Sequence, residues 1–269
     1  MDWGAAKSVT ADTPSYGSAA AGVARGWRER LLHFLLPSPC VACQEPVGGG
    51  GRLGLCDSCL RLLRPAPQGC LTAGPHLAGP HLAGTASYRR LLWGWNYAPP
   101  LDQVIAALKF RRLDYLGRQL GIELGRRFAA ELAEIDVVTA VPLGFWRRLG
   151  RGYDQAEAIA TAAAPFCGGD GRPLRRLLER RRTTAPQSLA DREERRRNLE
   201  GAFAAKASAM KAWRGCHILL VDDVVTTGAT LEAAAGALLL AGAGAVTALV
   251  AGRTPAPNEA RGGDSPEKL

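Results

Sequence analysis

The sequence predicts an α/β fold built on a mostly parallel sheet, because strand patterns and helix patterns alternate along it. Three stretches carry that expectation: "DVVTAVPL" (136–143), "CHILLVDD" (216–223) and "AVTALVAGR" (245–253). Each is short, apolar and rich in β-branched residues, as befits a strand covered on both faces. "QAEAIATAAAPF" (155–166) and "ATLEAAAGALLLAGA" (229–243) lie between them with helical spacing. The chain has 269 residues, enough for one full domain and a small second one.

Taken in order, residues 1–25 are rich in Ala, Gly, Ser and Thr without periodicity, and are expected to be disordered. "WRERLLHFLL" (27–36) spaces its apolar residues like a short amphipathic helix, stopped by Pro37 and Pro39. A cysteine cluster follows at 40–59. "AGPHLAGPHLAGT" (73–85) repeats GPHLA in tandem; Gly and Pro in each copy make it a linker, not a solenoid. "LLWGWNYA" (91–98) has the look of a strand, while "LDQVIAALKF" (101–110) and "YLGRQLGIELGRRFAAELAEI" (115–135) have helical spacing. The arginine-rich stretch 172–197 is polar and loop-like, with a short helix expected near its end. Residues 254–269 have the composition of a disordered tail. The expected division is a disordered 1–25, a helix and metal module over 26–70, a linker over 71–90, and the main domain over 91–253.

The side-chain balance is 34 basic against 25 acidic, a net charge of +9. It favours anionic partners, whether phosphorylated small molecules, nucleic acid or acidic protein, and it also serves plain solubility. No window of eighteen uninterrupted apolar residues is present, so no transmembrane helix is expected. The N-terminus lacks a signal-peptide pattern. The expected compartment is the cytoplasm, where clustered cysteines point to metal rather than disulfides.

"ILLVDDVVTTGAT" (218–230) holds the strongest chemical signal. In α/β sheets, ligands bind at the carboxyl ends of the strands. Asp222 and Asp223 fall at such an end, where an unpaired buried charge is costly and a hydroxyl or hydrated cation is a natural partner. Thr226, Thr227, Gly228, Ala229 and Thr230 then offer hydroxyls, a glycine turn and free N–H groups at a helix start. That combination cradles a phosphate. An N-capped helix explains one Asp or one Thr; it does not explain two consecutive acids followed by T-T-G-x-T.

These residues resemble the phosphoribosyl pyrophosphate (PRPP) fingerprint of type I phosphoribosyltransferases. The resemblance implies that Asp222 and Asp223 contact the ribose hydroxyls, that 226–230 bind the 5-phosphate, and that Mg²⁺ bridges pyrophosphate and ribose. "VPLGFWRRLGRGYDQAEAIA" (141–160), "RRRTTAPQSLADREERRRNLEGAF" (180–203) and "YAPPLDQVIAALKF" (97–110) are similar to segments of the ComF family, phosphoribosyltransferase-like proteins related to competence and DNA uptake. The resemblance covers about residues 27–253. It implies the type I phosphoribosyltransferase fold, a central sheet flanked by helices with a small hood drawn from 85–98 and 165–185. It places a pyrophosphate loop at Pro142, Leu143 and Gly144. It nominates Arg151, Gln155, Thr184, Gln187, Arg196 and Asn198 as further contacts. Arginine suits phosphate because its planar fork donates two parallel hydrogen bonds.

Some nucleobase transferases carry an acid four positions after the first Asp of the motif. Here that position is Thr226, so the general base and the acceptor are unassigned. Two functions follow as expectations: a PRPP-dependent transferase, or a non-catalytic PRPP sensor docking a competence helicase or other DNA-uptake partner. Direct nucleic-acid binding through the basic loop has little support, since aromatics for base stacking are sparse there.

Cys40-x2-Cys43-x12-Cys56-x2-Cys59 has the spacing of one tetrahedral, structural zinc site. "GGGGRLG" (48–54) supplies a flexible knuckle between the pairs. ComF relatives frequently carry further cysteine pairs downstream; this chain has only Cys70 there, with His76 and His81 in the repeat as weak extra candidates. Cys167 and Cys216 read as packing residues.

Overall fold

The strand His217–Val225 is the spine of the molecule, and its neighbours explain its composition. The computed structural model describes residues 39–47, 51–63, 65–66, 70–72, 87–111, 113–143, 154–181 and 201–255. Along the chain these form α1 (Asp57–Leu62), β1 (Cys70–Thr72), β2 (Arg90–Asn96), α2 (Leu101–Phe110), α3 (Asp114–Arg127), α4 (Ala129–Leu132) and β3 (Val137–Ala140). There follow α5 (Gln155–Ala163), β4 (Leu178–Arg180), β5 (Phe203–Ala205), α6 (Ala207–Met210), β6 (His217–Val225), α7 (Ala229–Leu240) and β7 (Ala245–Arg253).

The main sheet runs β1-β2-β7-β6-β3. β2, β7, β6 and β3 are mutually parallel, and β1 is antiparallel at the β2 edge. The expected α/β architecture with a mostly parallel sheet is therefore present. β6 and β7 sit inside and are buried on both faces, which is why they read as unbroken apolar runs. Their alternation still sorts side chains between two cores. Leu219, Val221 and Leu249 pack with α2, α3 and α5, whereas Ile218, Leu220, Ala248 and Val250 pack with α7 and the small sheet. The few buried hydroxyls are satisfied: Thr139 accepts from the Leu177 N–H at 3.3 Å, and Thr247 Oγ1 lies 2.9 Å from His217 Nε2.

α3 carries glycines four residues apart, an unpromising composition for a helix. Packing explains them. A Cβ at Gly121 would stand 2.3 Å from the carbonyl oxygen of Ile159, and one at Gly125 would stand 2.2 Å from the Phe166 ring. The glycines let α3 press directly on α5 and on the Phe166 ring just beyond it.

Four details differ from the sequence expectations. The strand predicted to end at Asp223 continues to Val225, because its partner β7 is long enough to keep pairing through Arg253. The expected boundary between module and linker falls inside a strand: Cys70 and the first two linker residues, Leu71 and Thr72, pair along β2 as β1, which gives the sheet an antiparallel edge. Residues 90–96 belong to the main sheet, not to a hood; the small sheet is β4 with β5, antiparallel. Within the arginine-rich stretch, Leu178–Arg180 is a strand, with Leu178 buried. The expected helix at 27–36, the GPHLA repeat with His76 and His81, and the whole of 182–200 lie outside the described residues. Among the described residues, no helix is long and apolar enough to cross a membrane.

Candidate functional site

Two constellations of functional side chains are present, one of sulfur and one of carboxylate. The sulfur centre is local. Cys40 begins a tight turn in which its N–H donates to Glu45 O (2.8 Å) and its carbonyl accepts from Gln44 N–H (3.0 Å). Gln44 takes the left-handed conformation, φ 67°, to close it. Cys56 stands just before α1 and Cys59 lies within it, one helical turn on. The four Sγ atoms lie within 4.8 Å of one another, with Cys43 and Cys56 at 3.6 Å.

That donor set suits one tetrahedral zinc. Burial opposes ionisation of Cys40, yet the backbone N–H groups of Cys43, Cys56 and Ala42 pull its thiol down to about 6. Burial, with the neighbouring sulfurs, pushes Cys59 up to about 12. A shared divalent cation would find Cys40 ready as a thiolate and would offset what opposes ionisation of Cys59, because crowded thiolates need a positive charge between them. The centre is docked, not dangling. The knuckle expected to be flexible turns at Arg52–Gly54 with Leu53 and Gly54 buried. The Leu53 N–H donates to Gln119 Oε1 at 2.6 Å, and Arg52 pairs with Glu123 at 2.6 Å. Arg127 donates to Gly94 O at 2.7 Å and also to Ala66 O, which fastens the outgoing chain to β2. These docking contacts are invisible in the cysteine spacing. Cys167 is buried, as its packing role requires, and Cys216 is half-buried.

The carboxylate centre is assembled from distant segments. Asp222 and Asp223 lie on β6 just beyond the last β3 pair, Ala140 with Val221. The Asp223 N–H donates to Asp222 Oδ1 at 2.8 Å. Asp223 Oδ2 is 2.8 Å from Lys109 Nζ, which reaches over from the last turn of α2. Burial pushes the Asp222 carboxyl up to about 8, and the charge of Asp223 adds to the effect, while Lys109 opposes it and Asp154 reinforces it. Thr226 and Thr227 are exposed. Gly228 adopts φ 80°, which only glycine takes freely, and it starts α7 without any side-chain cap. The twelve-residue helix thus begins without a side-chain cap on its first N–H groups, a few residues after the acidic pair. Tyr88 backs this turn: its hydroxyl would stand 3.6 Å from a Cβ at Gly228.

From the predicted pyrophosphate loop, Pro142 and Leu143 are described and follow β3 directly; Gly144 is outside the described residues. The Leu143 N–H donates to Asp154 Oδ2 at 3.2 Å, and Asp154 also caps α5 by accepting from Glu157 N–H at 3.2 Å. Gln155 is buried at the first position of α5. Arg151, Thr184, Gln187, Arg196 and Asn198 lie outside the described residues. The structure therefore brings together Asp222, Asp223, the 226–230 turn and the start of the 142–144 loop. Lys109 and Asp154 were missed from the sequence. Lys109 had one signal, as the lone basic residue in the otherwise apolar end of "LDQVIAALKF".

No family model matches the chain. The chain is 33% identical over 224 residues to the DNA utilization protein YhgH of Escherichia coli (strain K12), covering 78% of this chain and 95% of that protein. The protein of the same name from Salmonella typhi is 31% identical over 225 residues, with 78% and 95% covered. Among solved structures, an allosteric regulatory enzyme of purine biosynthesis superposes with a TM-score of 0.33 and 24% identity, covering 50% of this chain and 25% of that one. The chain thus spans about a quarter of that enzyme's length. By the identity and coverage of its curated relatives, the chain belongs to the family of the DNA utilization protein YhgH.

Proposed function

We propose that this chain is a phosphoribosyltransferase-like protein of the ComF type, which binds PRPP or a related ribose 5-phosphate compound in a role tied to DNA use. The observation that carries this is the acidic pair on β6 running directly into an uncapped, glycine-started helix. Asp222 and Asp223 would accept hydrogen bonds from the ribose diol. The N–H groups and hydroxyls of 226–230 would hold the 5-phosphate, and Pro142–Gly144 would wrap the pyrophosphate. The name of the relatives, DNA utilization protein, supports the DNA-related role.

The donor set also fits Mg²⁺: a carboxyl pushed up to about 8 by burial and a neighbouring charge is one that a divalent cation restores to its ionised form. When bound with PRPP, Mg²⁺ neutralises charge on the pyrophosphate leaving group. The chain's own part in a transfer is to position ribose C1 and to stabilise the cation-like transition state there. The cysteine centre would hold a structural Zn²⁺ within a ribbon module over 26–70, joined by 71–90 to the phosphoribosyl domain over 91–253, all in the cytoplasm.

A second reading has one observation in its favour. The position that bears an acid in some nucleobase transferases is Thr226, and it is exposed. Without that acid, the chain would sense PRPP and pass the signal to a DNA-uptake partner, such as a helicase, through the cysteine module. Pyrophosphate release from PRPP and Mg²⁺ across a panel of nitrogen acceptors separates the two. Turnover supports the transferase; tight binding without turnover supports the sensor. Absence of PRPP binding would remove both. A steep salt dependence of DNA affinity would instead indicate direct nucleic-acid binding.

A further inference from the structure

Lys109 is part of the carboxylate centre in space but distant from it in sequence. Its Nζ sits 2.8 Å from Asp223 Oδ2, with Lys109 23% and Asp223 14% exposed. Asp154 and Asp222 stand close enough to influence each other electrostatically, and Asp222 and Asp223 share an N–H···O contact. Lys109 thus forms an ion pair with the acidic pair through Asp223. A lysine ammonium is a compact point charge on a flexible stem, so it can leave without disturbing the fold. The α2 backbone behind it is anchored independently by buried Val104, Ile105 and Leu108. An ammonium held at Asp223 Oδ2 repels a divalent cation approaching the same carboxylate, so the two compete for it.

We infer that Lys109 is the resident counter-cation of the Asp222–Asp223 pair, holding Asp223 until the ligand's divalent cation and hydroxyls displace it. Lys109 is therefore a positioning residue that sets how strongly the pocket draws in metal. This inference rests on the proposed role of the acidic pair in binding ribose and metal. Its rival is a lysine that contacts the ligand's phosphate and has no effect on cation affinity.

The test is Mn²⁺ binding, followed by magnetic resonance of the free ion, to the full chain without PRPP. Lys109→Met and Lys109→Gln should each bind Mn²⁺ about five-fold more tightly than the wild type, since a competing charge is gone. Lys109→Arg should stay within about two-fold of the wild type, because the charge is kept. On an Asp223→Asn background, Lys109→Met should give no gain, since the pair it breaks is already absent. Equal or weaker Mn²⁺ binding in Lys109→Met and Lys109→Gln would overturn the inference. So would a gain that persists with Asp223→Asn, or no Mn²⁺ binding in any variant. Calorimetry with PRPP and Mg²⁺ on the same proteins keeps this apart from the PRPP proposal. Failure of wild type to bind PRPP, with the Mn²⁺ pattern intact, removes the ligand and leaves the role of Lys109. PRPP binding without a Mn²⁺ gain does the reverse.

Discussion

The cysteine centre and the carboxylate centre differ in how far apart their parts lie in the chain. All four sulfurs come from residues 40–59, and each pair is set by a local turn or by one turn of helix. The carboxylate centre draws on Lys109, the loop after β3, Asp154, and the end of β6, with a sheet of non-consecutive strands to bring them together. A locally built site is specified by spacing. A site built across a sheet is specified by topology, and the spacing within any one segment does not reveal which residues will meet there.

The largest expected effect falls on the local centre. Cys59→Ser should lower bound zinc from about one per chain to near zero and should destabilise the N-terminal segment sharply, since metal binding and folding are one process at such sites. Zinc content by atomic spectroscopy, with thermal melts, checks this. If the melt of the carboxylate domain moves as much as that of the segment, the two centres are more tightly coupled than their separate construction suggests.

Next comes the carboxylate pair. Asp223→Asn should weaken PRPP binding by about ten-fold or more, as expected for losing a charged hydrogen-bond acceptor. Asp222→Asn should weaken it likewise yet leave the ligand-free protein equally or more stable, because burial already opposes ionisation of this carboxyl and an amide removes that cost. Calorimetry and melting curves together test this. A large loss of stability would make Asp222 a structural residue instead.

A pH dependence follows from the same residue. Burial and Asp223 raise Asp222 to about 8 from an ordinary value of 3.8. Between those values the folded chain holds a proton that the unfolded chain has released, so the contribution of Asp222 to stability declines as pH rises through the window. It is complete below the unfolded value and lost above the folded one. Asp222→Asn should flatten that part of the stability profile. PRPP–Mg²⁺ affinity should run the other way and improve towards pH 8 in the wild type, because the ligand needs the ionised form.

The smallest effect concerns the seam between the centres. Arg52→Ala should cost about 0.5 kcal/mol in denaturant unfolding, as for an exposed ion pair, since Arg52 is 64% exposed. Gln119→Ala, which orphans the Leu53 N–H, should cost about 1 kcal/mol. The reverse ranking would mean that the charge pair, not the backbone bond, holds the cysteine segment on α3.

Sequence legibility follows the same division. The parallel strands were visible because burial on both faces makes them continuous apolar runs, and Cys40–Cys59 was visible through its spacing. The acidic pair and the turn proposed to hold phosphate were visible because they adjoin in one strand–helix junction. Lys109 was not, since only the docking of α2 against the end of β6 gives it meaning. β1 and β4 were missed because three-residue strands carry too little periodicity to register. Arg90–Asn96 was assigned to a hood because its pairing with β7 joins residues more than 150 positions apart.

The most direct test of the central claim is titration of the full chain with PRPP in the presence of Mg²⁺ by isothermal calorimetry, with Asp222→Asn alongside. The account predicts saturable heat from the wild type at about one ligand per chain, and little or none from the variant. No heat from either protein, or equal heat from both, would contradict it.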